Sequence, residues 1–109
     1  MTQPHVEVAQ TIMAQIGRGR PNALAVMTGA KNFIAHNEAR GALSFRVPTG
    51  TASDGINYVK VTLTVMDTYT VEFGRVYGHK YTVKSAHEDI YCDGLADLFE
   101  RKTGLYVSF

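Results

Sequence analysis

Between Leu43 and Val83 apolar and polar side chains alternate through four successive runs. That lattice confines the chain to an antiparallel sheet with one oily face and one wet face. Leu43, Phe45 and Val47 are separated by Ser44 and Arg46, and Val59, Val61, Leu63 and Val65 by Lys60, Thr62 and Thr64. Tyr69, Val71 and Phe73 are separated by Thr70 and Glu72, while Tyr81 and Val83 alternate with Lys80, Thr82 and Lys84. Neighbouring strand residues point to opposite faces, so each run must bury one set and leave the other wet. Strands are expected over about 42–47, 57–66, 69–77 and 80–86, with Asp67-Thr68 and Gly78-His79 as tight connections. Gly74 interrupts its run, and a bulge there would explain why Arg75 falls where an apolar residue is due.

Helical spacing flanks this lattice. Val6, Ala9, Ile12, Met13 and Ile16 predict a helix over about 4–16, stopped by Gly17 and Pro21. Tyr91, Leu95, Leu98 and Phe99 predict a second over roughly 91–103. Acids Asp89, Asp93 and Asp97 stand near its positive end and Arg101 and Lys102 near its negative end. Gly104-Leu105 reads as a Schellman close. In between, Leu24–Thr28 suggests a short strand, Gly29–Asn32 a turn, and Phe33–Ala35 the first arm of a hairpin returning at Ala42. The expected fold is α+β: a four- to five-stranded antiparallel sheet with an N-terminal and a C-terminal helix packed on one face, forming a single domain over 1–109.

Composition limits the function classes more than it selects one. The single cysteine, Cys92, cannot form an internal disulfide. No apolar run approaches the about 18 residues of a spanning helix, and the N-terminus lacks the basic-then-apolar form of a signal peptide. A cytoplasmic protein with no membrane partner is therefore expected. Formal net charge is +1, with the first fifty residues basic and the remainder acidic. Neither half is a strong polyelectrolyte, so wholesale phosphate neutralisation is not expected to dominate binding.

The candidate surface is the wet face of the sheet. Arg46, Tyr58, Lys60, Lys80 and Lys84 are expected to share it, adjoined by the turn at Lys31 and Asn32. Cations and a tyrosine on an open sheet suit docking of a protein or nucleoprotein partner. They would also suit stacked bases, although Glu72 falls on the same face and blunts the field. Arg18-Gly19-Arg20-Pro21 reproduces the core of an AT-hook, whose arginines favour the narrow A·T minor groove. One copy of four residues is a weak match, and solvated linker arginines are the simpler reading.

Catalytic and metal-binding signals are slight. His5, His36, His79 and His87 are scattered, and the only pairing of interest is His87 with Cys92. A reactive thiol would need a helix N-terminus and an orienting partner, whereas the acids nearby oppose its ionisation. Paired Cys/His spacings for zinc are missing. No enzyme activity, cofactor or metal is expected, and the oligomeric state stays open, with a dimer among the options.

Several strings together carry a resemblance. They are Met27-Thr28-Gly29-Ala30-Lys31-Asn32-Phe33, Leu43-Ser44-Phe45, Gly55-Ile56-Asn57-Tyr58-Val59-Lys60-Val61-Thr62-Leu63, Asp67-Thr68-Tyr69, Val71-Glu72-Phe73-Gly74-Arg75-Val76 and Thr103-Gly104-Leu105-Tyr106. Over about residues 27–109 the chain resembles a group of small proteins carried by phages, prophages and plasmids. The resemblance carries no catalytic residues across. What it implies is a setting: an accessory protein that binds a host protein or nucleoprotein complex in the host cytoplasm. Anti-defence inhibitors such as anti-CRISPR proteins are one such class, an analogy of setting and not of site.

Overall fold

Five strands follow one another in space in the order in which they occur along the chain, each antiparallel to the last, as the alternating lattice requires. The computed structural model describes residues 4–17, 23–37, 40–48, 50 and 52–105. Its elements are α1 (Pro4–Ile16), α2 (Ala23–Thr28), β1 (Lys31–His36), β2 (Ala42–Arg46), β3 (Tyr58–Leu63), β4 (Tyr69–Tyr77), β5 (Lys80–Ile90) and α3 (Leu95–Thr103). Short 3₁₀ turns, Ser53–Gly55 and Cys92–Gly94, precede β3 and α3. The α+β class, the antiparallel sheet and the two terminal helices are as the sequence leads one to expect.

One continuous core lies between the helices and one sheet face. Ala9, Ile12 and Ile16 from α1 meet Leu43, Phe45, Val59, Val61, Val71 and Phe73 from the sheet, with Leu95, Leu98 and Phe99 from α3. Phe45 stands at its centre, its ring 5.5 Å from that of Phe33 and 5.9 Å from that of Phe99. Truncating such a fully buried ring costs about 3–5 kcal/mol, because the lost transfer energy adds to the cavity left behind. Packing α1 across β1 and β2 needs a close approach, since a side chain at Gly41 would strike Val8.

Local expectations fail at four places, each for a physical reason. Leu24–Thr28 is a helix and not a strand: Thr28 Oγ1 donates to the Leu24 carbonyl, and Gly29 N–H reaches the Ala25 carbonyl at 3.0 Å. Gly29, at φ 75°, then lets the chain turn directly into β1. The strand expected to continue to Met66 ends at Leu63, because Thr64 closes a loop with its N–H on the Thr68 carbonyl at 2.9 Å. Tyr91 is 66% exposed and outside the apolar stripe, since the 3₁₀ turn intervenes before α3 begins. At the far end of α3, Gly104 (φ 73°) donates to the Glu100 carbonyl, and Leu105 N–H is taken by Thr103 Oγ1 at 3.1 Å. That is an αL cap and not a Schellman close.

Candidate functional site

The sheet face turned away from α1 and α3 is laid out by register. One row across it reads Arg46, Tyr58, Gly74 and Val83 on β2 to β5. The next reads Ile34, Ser44, Lys60, Glu72 and Ala86, and a third His36, Ala42, Thr62 and Thr70. Arg46, Tyr58 and Lys60 are thus brought together as the sequence suggests. Lys31 and Asn32 are not the turn expected of them but the first residues of β1, and Lys31 pairs with Arg46, so this end of the strand adjoins the face.

Two lysines are misplaced by the sequence reading. The register between β4 and β5 slips by one residue between Phe73–Ser85 and Gly74–Val83, which leaves Lys84 as the inserted residue of a bulge. The bulge therefore lies in β5 opposite Gly74, and not in β4. Beyond it, Tyr81 and Val83 turn to the open face, while Lys80, opposite Tyr77, belongs to the other side. Lys84 is exposed at the outer edge of the sheet. Arg75 keeps its expected inward parity and reaches past Gly55 towards the ring of Tyr77, 5.7 Å away.

Ile34, Val76, Tyr81 and Val83 are site residues that sequence reasoning missed, and Tyr81 organises the centre of the face. Its ring occupies the space that a side chain at residue 74 would need. Its edge meets Tyr58, with ring centroids 5.3 Å apart and an interplanar angle of 74°. Its hydroxyl donates to Glu72 Oε2 at 2.5 Å. Burial, the Glu72 hydrogen bond and the Glu72 charge together push the Tyr81 phenol well above the usual tyrosine range. The one signal for this arrangement in sequence is Gly74 itself, a strand glycine that leaves room for a cross-strand ring.

Two shallow concavities share Tyr58 and Val76. One, of about 320 Å³, is bounded by Lys60, Glu72 and Tyr81. The other, of about 390 Å³, lies towards β1 and is bounded by Asn32, Phe33, Ile34, Ser44 and Arg46. The backbone of Val76 is fixed here by the buried Asn57, whose Oδ1 accepts the Val76 N–H at 2.7 Å and whose Nδ2 donates to its carbonyl at 2.9 Å. Around these hollows Ile34, Val83 and Tyr81 are 53%, 50% and 43% exposed.

Other candidates do not join this site. His87 lies on the covered face of β5, opposite Val71 and edge-on to Phe73, and its buried Nε2 finds no partner among the described residues, the Cys92 thiol included. Burial, reinforced by Lys102 and Arg101, holds its pKa below the ordinary histidine value. Cys92 is exposed in the turn before α3. His36 sits on the open face, with Nε2 2.7 Å from Ser44 Oγ. Arg18 and Arg20, the AT-hook candidates, lie outside the described residues.

Among the described residues no group of three His, Cys, Asp or Glu side chains could hold a metal ion, and no helix is long and apolar enough to cross a membrane. Compared with family models, with curated proteins and with solved structures, the chain finds no match.

Proposed function

We propose that this chain is a non-enzymatic accessory protein of a phage or other mobile element that captures a host protein, stoichiometrically, on the open face of its sheet. One observation supports this reading above the rest. Ile34, Tyr81 and Val83, each about half exposed, surround Arg46, Tyr58 and Lys60 on a face that neither α1 nor α3 covers. Cations and a tyrosine framed by exposed apolar and aromatic side chains favour a docking surface over a merely solvated sheet. The mobile-element setting rests on the strings quoted above, and an anti-defence inhibitor is the most specific member of that class. A nucleic-acid target is the weaker reading, because Lys80 and Lys84 leave the face and Glu72 stays at its centre.

The test is affinity capture from nuclease-treated host lysate with three tagged chains: wild type, R46E/K60E, and R101E on the exposed side of α3. A partner held in stoichiometric amount by wild type and R101E but lost by R46E/K60E, at matched thermal stability, supports the reading. A partner held equally by all three overturns it.

A further inference from the structure

The concavity beside β1 has a chemistry of its own. Asn32 adopts φ 58°, and the β1–β2 register slips by one residue between Lys31 and Ile34. This bulge swings β1 aside and opens the hollow of about 390 Å³, walled by Phe33, Ile34, Tyr58 and Val76. Of its polar groups, the Ser44 hydroxyl is already engaged by His36. Arg46 is half-buried, and its Nε–H is buried with no acceptor among the described residues. A guanidinium stays charged at any physiological pH, and a buried donor left unpaired is costly. Among the described residues no acidic side chain lines the hollow, and Lys31, opposite Arg46 in register, adds a second cation close by.

Resting on the docking-face reading, we propose that this hollow is a specificity site for a carboxylate carried beside a bulky apolar group, presented by an acidic segment of the protein partner. The carboxylate pairs with the Arg46 guanidinium where it lines the hollow, and the apolar body lies between Ile34 and Tyr58. A guanidinium pairs with a carboxylate through two parallel hydrogen bonds, which fixes orientation as well as adding affinity. A nucleic-acid strand fits less well, because its phosphates repeat along the backbone and would run on from Arg46 towards Glu72.

The test uses N-acetyl-L-phenylalanine and its neutral primary amide as probes of the isolated protein, followed through backbone amide resonances. The acid is expected to give saturable shifts at Ile34, Ser44 and Tyr58, and the amide to bind about tenfold more weakly. R46M, which keeps the alkyl stem, should erase that difference, and R46K should retain part of it. Equal binding of acid and amide, shifts elsewhere, or no saturable shift overturns the proposal. So does a thymidine oligonucleotide that moves these resonances while the acid does not. Lysate capture separates the two readings. Loss by R46E/K60E with full retention by R46M keeps the docking face and removes the carboxylate site. Retention by both, together with acid-selective shifts, removes the face as the capture surface and keeps the site.

Discussion

The side chain of Asn57 takes the place of a strand for Val76. Its amide accepts from the Val76 N–H and donates to the Val76 carbonyl, at 2.7 and 2.9 Å, just before β3 begins. The two half-buried backbone groups it satisfies lie beyond the last paired residue of β3 and have no strand partner on that side. Asn57 is 1% exposed, so water cannot substitute for it.

N57L should therefore destabilise the fold by about 2–3 kcal/mol, since two half-buried backbone groups each lose a partner. For a domain of this size that is a fall in Tm of roughly 10–25 °C. Calorimetry checks it. A fall of a degree or two would mean that Val76 re-pairs by itself.

Gly74 and Tyr81 occupy one volume. G74A should drive the ring off the strand, break its bond to Glu72 and its contact with Tyr58, and cost about 1–2 kcal/mol. The same substitution in a Y81A background should cost far less, because the ring is already gone. A double-mutant cycle by urea unfolding measures this coupling. Strict additivity would contradict the shared volume.

Tyr81 also ties stability to alkaline pH. Its folded pKa lies above the unfolded value of 10.0, so the folded state holds the proton more tightly. The contribution is complete below pH 10.0 and is lost as pH rises from there towards the folded value. Y81F, which cannot ionise, should show a shallower decline of Tm above that pH. Absorbance near the phenolate band should likewise show Tyr81, with the buried Tyr69, resisting titration until the protein unfolds.

His87 acts at the other end of the scale. Its folded pKa is below the unfolded 6.5, so the unfolded state takes up the proton first as the solution is acidified. Stability is present above 6.5 and falls as pH drops through it towards the folded value. H87L removes both the titration and the unpaired Nε2. It should lose less stability than wild type between neutral and mildly acidic pH, as read by urea midpoints across that range.

The sheet was legible in sequence because its signal is periodic. β4 ends where the Tyr69-to-Tyr77 pattern ends, β2 falls where Ala42–Val47 places it, and β1 contains Phe33–Ala35 but starts at Lys31, inside the segment expected to turn. Arg46, Tyr58 and Lys60 could be assigned to one face by counting in twos. That counting failed after Gly74, because one inserted residue, Lys84, reverses every side chain that precedes it in β5. No local pattern marks the insertion. Leu24–Thr28 misled for a different reason: five apolar-rich residues are too short for a period, and the deciding bonds come from Thr28 and Gly29. Asn57 was silent, since a lone asparagine before a strand gains meaning only when Val76 arrives across the sheet.

The irregular course of β5 bears on what the protein does when crowded. Besides the insertion at Lys84, its pairing slips again between His87 and Ile90, where Asp89 takes a φ of 58°. This long outer strand is thus broken into short segments, none straight enough to template a matching strand from another molecule. Growth by ribbon-to-ribbon addition along that flank is blocked. Concentrated solutions should therefore resist fibril formation from that side, even with tyrosines uncovered close by.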